Sequence, residues 1–364
     1  MKIKIMKTLL SVAVLTAITS SASAAPIGTA AGTEVNNTAS ISYSVGNQAQ
    51  TPIESSKDGN TNPGVGNGEA TTFVVDKKID LLVTGATTTN VVPGQTATNA
   101  ANNNELSYTL LNEGNSTENF ALTASDALIA AVAGTDDFNS SNCTVISPAS
   151  PVELDSGEQV DVKVQCDIPV SSATVTNGAK SLVDLLATAT GVTASNGTDT
   201  VGCTTGTVAA GNCTVDVVFA DGTGTGTDAA DRNAKHSATS TYLINTADLT
   251  VKKTEAVTAM AINGSDDPAD TNFHIPGSTI VYTIVVTNDT TDGTPDAATA
   301  TGIVLSDTVP TTMTVVGTPT VAITGGNGGA ATMASGAGVS AVATNAFDLD
   351  AGETATLTIT ATVN

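Results

Sequence analysis

Two stretches of this chain carry the same short pattern. Leu154 to Pro169 reads LDSGEQVDVKVQCDIP, and Leu349 to Asn364 reads LDAGETATLTITATVN. Glycine reaches positive φ without steric penalty, so Leu-Asp-x-Gly-Glu predicts a tight turn with Gly157 and Gly352 in the left-handed region. The alternation that follows has period two, which predicts a strand with one buried and one wet face. A turn feeding such a strand, written twice, constrains the chain to a duplicated β architecture.

Other landmarks recur in the same order. IDLLVT at Ile79 answers ADLTVK at Ala247, and VVPGQ at Val91 answers HIPGS at His274. LSYTLLNEGN at Leu106 answers IVYTIVVTND at Ile280, and ENFALT at Glu118 loosely answers TGIVLSD at Thr301. The spacing differs between copies, so two modules with unequal loops are expected, not a short-period solenoid. Many short strands punctuated by Gly, Pro, Asn and Asp indicate an all-β chain of β-sandwich modules. The best helical stretch, Ala179 to Ala189, reads equally well as a strand. Ahead of the modules, GTEVNNTASISYSVGNQAQTPIES predicts two strands joined by a Gly-Asn turn. The expected division is a leader at 1–24, an N-terminal strand segment at 25–76, a first module at 77–246 and a second at 247–364. Residues 191 to 246 make the first module the larger, through extra strands or a small disulfide-held subdomain.

The leader rests on Lys2, Lys4 and Lys7, an apolar run from Leu9 to Ile18, and Ala22-Ser23-Ala24. These are the parts of a cleavable export signal, and the apolar run is too short to span a bilayer. The C-terminal residues show neither a Leu-Pro-x-Thr-Gly signal nor a basic tail. An exported protein without membrane insertion is expected, at the cell surface or outside it, with the periplasm in transit. The formal charge is −23 and Arg232 is the single arginine. Such a surface repels phosphate backbones, which argues against nucleic acid. It attracts divalent cations.

Four cysteines suit an oxidising compartment. Of the three pairings open to them, proximity favours Cys143 with Cys166 and Cys203 with Cys213. No C-x-x-C is present, so structural disulfides are preferred to a metal site. Two histidines, no G-x-S-x-G and scarce aromatic residues leave little material for a hydrolytic triad or a sugar-cleaving site, so a non-enzyme is expected. Calcium is the cofactor considered. DGNTNPGVGNGE places oxygens at Asp58, Asn60 and Asn62, with Glu69 at the twelfth position. Pro63 stands where such a loop wants glycine. NGSDDPAD supplies Asp266, Asp267 and Asp270, and Asn288 to Asp296 is a third acidic loop. A solvated Asx-rich turn is the simpler account of all three.

The stretches ADLTVKKT, IPGSTIVYTIVVTN, ATGIVLSDTVP and LDAGETATLTITATVN resemble the bacterial surface "conserved repeat domain" of unknown function. That family is Ig-like and found in exported proteins. The resemblance covers nearly all of the second module; the first is a more divergent companion. It implies tandem Ig-like sandwiches in a surface, matrix or secreted structural protein, and it brings no catalytic residues. Lys252 or Lys253 with Asn364 has the order of the Lys–Asn crosslinks of some surface Ig-like domains, although a plain edge-strand lysine explains it as well. Self-association is expected, through residues 33–45 or through the final strand ending at Asn364. Other surface proteins and glycans are the further partners considered. A calcium- or glycan-binding secreted module and a lattice-forming surface-layer protein are the alternative functions.

Overall fold

The computed structural model describes residues 27–85, 87–97, 104–126, 136–195, 215–259, 273–290, 297–326 and 330–364. The leader, Cys203, Cys213 and the loop bearing Asp266, Asp267 and Asp270 lie outside the described residues. Among the described residues, all the regular structure is β. The stretch with helical character is the strand Lys180–Ala189. Its alternating burial against a hydrophobic core overrides any local helical preference.

Buried apolar residues collect into two main clusters. The first joins two sheets. One sheet orders Ser141–Ser147, Gln159–Asp167, Leu106–Asn112 and Leu81–Thr84. The other orders Val152–Leu154, Glu118–Asp126, Lys180–Ala189, Lys235–Ile244 and Thr88–Val91. Leu106, Leu110, Val162 and Val164 from the first meet Phe120, Val183, Leu185 and Ile244 from the second. Two tyrosines tie the layers through their hydroxyls. Tyr108 donates to the Val183 carbonyl at 2.8 Å. Tyr242 donates to the Asn104 carbonyl at 2.8 Å and accepts the Cys166 N–H at 3.1 Å. Between Leu81–Thr84 and Thr88–Val91 the chain changes sheets. It passes so close to the Lys235–Ile244 strand that a Cβ at Gly85 would lie 2.5 Å from the Thr239 carbonyl oxygen.

The second cluster sits under a sheet ordered Leu249–Ala259, Thr279–Asn288, Thr354–Val363, with Met313–Val315 and Thr320–Thr324 both beyond Thr354–Val363. Facing it are two short pairs, Ala300–Ile303 with Phe347–Leu349 and Ser306–Thr308 with Ala341–Ala343. Ile284, Val286, Leu357 and Ile359 pack against Leu305, Val309, Val342, Phe347 and Leu349. The strand Thr354–Val363 therefore has neighbours on both sides. The expectation that it offers a free edge is corrected by this placement.

The two units repeat one hydrogen-bond pattern. Asn112 and Asn288, each fully buried, anchor it. Asn112 Nδ2 donates to the carbonyls of Ser116 and Leu154 at 2.9 and 3.0 Å. Asn288 Nδ2 donates to those of Ala298 and Leu349 at 2.9 and 3.0 Å. Gly157 N–H reaches the Asn112 carbonyl at 2.9 Å, and Gly352 N–H the Asn288 carbonyl at 2.7 Å. The glutamate of each turn folds back, so Asp155 N–H donates to Glu158 Oε2 and Asp350 N–H to Glu353 Oε2, both at 2.9 Å. Thr117 and Thr299 donate to Asp155 and Asp350, both at 2.7 Å. Gly157 and Gly352 have φ of 79° and 82°, the left-handed values the motif predicts.

This pattern corrects the alignment of the copies. Asn112 corresponds to Asn288, two residues later than the match of Leu106 with Ile280 implies. Glu118, paired with Leu154, corresponds to Ala300, paired with Leu349, and not to Thr301. The shared Tyr-Thr dipeptide misleads. A two-residue slip keeps every side chain on its original face, so periodicity cannot detect it.

At the N-terminal end, Gly46 and Asn47, with φ of 53° and 63°, turn the hairpin Ser44–Val45 with Gln48–Ala49 as expected. Glu34–Asn37 pairs with Thr71–Val74 of the same chain, and Ser40–Ile41 with Ile53–Glu54. Asn115 binds this segment to the first unit, its Nδ2 donating to the carbonyls of Thr29 and Asp76 at 3.2 and 2.9 Å.

Replacing Asn288 by alanine strips two buried carbonyls of their donors and is expected to cost the second unit about 3 kcal/mol. Asn112→Ala should do the same to the first unit, while Lys252→Ala on an exposed strand face changes stability by less than about 0.5 kcal/mol. Denaturant titration of the three variants measures both effects.

Candidate functional site

A polar cleft of ≈ 380 Å³ opens at one end of the first unit, lined by Asp137, Thr174, Thr176, Asn177, Gly178 and Ala179. Its walls are held by backbone contacts to two strand ends. The N–H groups of Asp137 and Phe138 both reach the Lys180 carbonyl, at 2.7 and 3.3 Å, and Gly178 N–H reaches the Ile244 carbonyl at 2.9 Å. Asp137 Oδ2 accepts the Lys180 N–H at 3.0 Å, and Asn177 Oδ1 accepts the Thr246 N–H at 3.1 Å.

Two more carboxylates stand in the same region. Asp136 is 4% exposed and takes the Leu182 N–H on Oδ1 at 3.2 Å. Asp126, at the end of its strand, accepts hydroxyl hydrogen bonds from Ser140 and Ser181, each at 3.4 Å. Burial pushes the Asp126 carboxyl up to about 6, and the charge of Asp136 adds to the rise, against the two serines. Burial also raises Asp136, against the Leu182 N–H, with the charge of Asp137 adding. Such an arrangement can take up a proton near neutral pH, attract a cation or hydrogen-bond the hydroxyls of a polar ligand. Among the described residues, no group of three or more His, Cys, Asp or Glu is arranged to hold a metal ion.

A second acidic locus lies inside the first unit. Asp184 is fully buried, and its Oδ2 accepts from the Thr227 N–H and hydroxyl. Burial raises its carboxyl despite these donors, and Asp228 adds a smaller push in the same direction. Asp184 Oδ1 sits where a Cβ at Gly226 would fall, which explains a glycine at that point of the loop.

The residues singled out in the sequence fall as follows. Cys143 and Cys166 form a disulfide with an S–S distance of 2.07 Å, joining an edge strand to its neighbour across an irregular register. The loop from Asp58 is internally bonded. Asn60 Nδ2 donates to the carbonyls of Glu54 and Asn67 at 2.8 and 3.0 Å, and Asn60 Oδ1 accepts the Asn62 N–H at 2.9 Å. Asp58 is 89% exposed beside Lys57, and the Glu69 N–H is held by Ser56 Oγ at 3.0 Å. These contacts make an Asx-type turn. His236 Nδ1 accepts the Val83 N–H at 3.1 Å, and His274 pairs with Glu255 at the surface. Lys253 lies 2.7 Å from Asp307, while Asn364 bonds to Thr311 and Thr314, so the Lys–Asn order does not become a contact. Asn112, Asn288, Asp126, Asp136 and Asp184 were not legible. In a chain rich in Asn and Asp, only their burial distinguishes them.

No family model matches the sequence, and no curated protein matches it. Among solved structures, a two-domain protein with unknown function from Bacteroides fragilis is similar at 12% identity and a TM-score of 0.24. The match covers 79% of this chain and 94% of that one, and no conclusion rests on it.

The stability contributed by a neutral Asp126 carboxyl is complete below its ordinary value of 3.8 and is lost as pH rises through about 6. Asp126→Asn is therefore expected to lose less stability than the parent between pH 4 and pH 6.5 in urea titrations. Cys143→Ser opens a loop whose ends are 23 residues apart in sequence, and should cost about 3 kcal/mol in the same assay under oxidising conditions.

Proposed function

We propose that the protein is an exported, non-catalytic structural or adhesive component of a cell surface or extracellular matrix, built of Ig-like modules of the conserved-repeat kind. The observation that carries this reading is the duplicated latch, in which one buried asparagine and one Asp-x-Gly-Glu turn close each unit. A chain that repeats a closure device across two cores invests in rigid, stackable units. The Cys143–Cys166 disulfide suits an oxidising compartment, and the charge of −23 suits a protein that stays dispersed there.

A second reading, a secreted calcium- or glycan-binding module, is favoured by the polar cleft beside Asp137, where hydroxyl and amide groups converge. Expression with the leader intact, followed by fractionation, should deliver the processed chain outside the cytoplasm. Retention of an unprocessed chain in the cytoplasm would overturn the first reading. Melting with and without calcium, and with a panel of glycans, should leave the transition unmoved. A transition raised by either addition, and no longer raised in Asp137→Ala, selects the second reading.

A further inference from the structure

The strand Leu249–Ala259 is the longest in the described structure and lies at the edge of its sheet. Among the described residues, no strand pairs with its outer side. Its register with Thr279–Asn288 sets Leu249, Val251, Lys253, Glu255 and Val257 on the face that carries the buried Ile280, Ile284 and Val286. That face is nevertheless uncovered along most of the strand. Leu249 is 44% exposed and Val251 is 69% exposed, and only Val257 is buried. A long edge strand with exposed β-branched residues is a pairing template.

The sequence of this edge complements itself. A twofold axis normal to the sheet pairs two such strands antiparallel and keeps their faces aligned, so one residue must lie opposite itself. Placing Lys252, Lys253 or Glu255 on the axis sets like charges opposite each other. Placing Thr254 there sets Lys253 opposite the partner's Glu255 and Glu255 opposite the partner's Lys253. In the same register Val251 meets the partner's Val257, the last regular position before the strand's irregularity at Thr258. Opposite charges and β-branched side chains directly across strands are the favourable cross-strand pairs. The lysine is already directed along this face. It is held by Asp307 at 2.7 Å and lies 4.8 Å from the Tyr282 ring centre. Two of its N–H groups serve the two Asp307 oxygens. Glu255 is restrained at the surface by His274 at 2.9 Å.

We infer that two copies of this chain associate edge to edge through Leu249–Ala259, antiparallel and centred on Thr254, to give a sheet continuous across both second units. The occupant of the edge is a second copy, because in this register the two charged residues of the core-side row, each already paired within its own chain, face opposite charges across the seam. The inference is independent of where the protein works.

The test uses the full processed chain in sedimentation equilibrium over a wide concentration range. A monomer–dimer equilibrium is expected. Lys253→Glu or Glu255→Lys alone places two like-charge pairs in each dimer and should weaken association about tenfold. The double reversal, Lys253→Glu with Glu255→Lys, made together with Asp307→Asn so that the new carboxylate meets no like charge in its own chain, should restore it, a recovery that a merely damaged fold would not show. In a separate variant, Thr254→Cys should give a disulfide joining the two introduced thiols under mild oxidation, while Val65→Cys at an exposed site elsewhere should not. A chain that stays monomeric throughout overturns the inference. So does association that ignores both single reversals, or coupling at Thr254 no faster than at Val65.

Discussion

A carboxamide buried without water must find partners for its N–H groups or cost the fold what it gained by burial. Asn112 and Asn288 meet that demand by binding the carbonyl just before each Asp-x-Gly-Glu turn. The backbone of each asparagine meets the same turn from the other side, donating to the carbonyls of Glu158 and Glu353 at 3.0 Å in both units. Each unit thus fixes where its long alternating strand begins. Once that start is fixed, pairing along Leu106–Asn112 with Gln159–Asp167, and along Thr279–Asn288 with Thr354–Val363, follows in register, and the apolar face lands inward. The cores are what the latch aligns.

The sequence announced the strands because period two is a strong signal when one face is buried. Gln159–Asp167 and Thr354–Val363 could be read from alternation alone, and the glycines of their turns from the positive φ that only glycine adopts freely. The Gly46-Asn47 hairpin was legible for the same reason. The latch was not. Nothing local marks Asn112 among the asparagines of this chain, and its partners Leu154 and Ser116 are set by tertiary closure. The cleft was equally silent. Asp137 meets residues 173–179, and Asp126 and Asp136 are set beside Ser140, Ser181 and Leu182, through strand pairing that no short motif encodes. The loop at Asp58 carries a second reading in its local bonding. Its spacing suggested ligands, but the Asn60 carboxamide serves the backbone on both sides, as short polar side chains in Gly-rich turns commonly do.

The charge of the chain and its burial pull in different directions. Many of the described acidic residues reach solvent, where they keep copies apart. A few are drawn inside the first unit, where desolvation favours the neutral form. Lys252 and Lys253 interrupt the acidic surface together, on the longest described strand, whose outer side pairs with no described strand, and there the general repulsion between copies is locally relieved.

One feature of the first unit has a mechanical meaning. Thr88–Val91 and Lys235–Ile244 run parallel, as do Lys77–Ile79 and Val217–Phe219. Lys77–Ile79 opens the unit and Lys235–Ile244 closes it, and each is held along its length by a parallel partner. Tension applied along the chain therefore pulls the two strands of a pair in opposite directions along their length. The hydrogen bonds between them are loaded in shear and share the force, where an antiparallel pair pulled from one end would open a bond at a time. A unit wired in this way resists stretching more than its modest size would imply, and yields abruptly when it does.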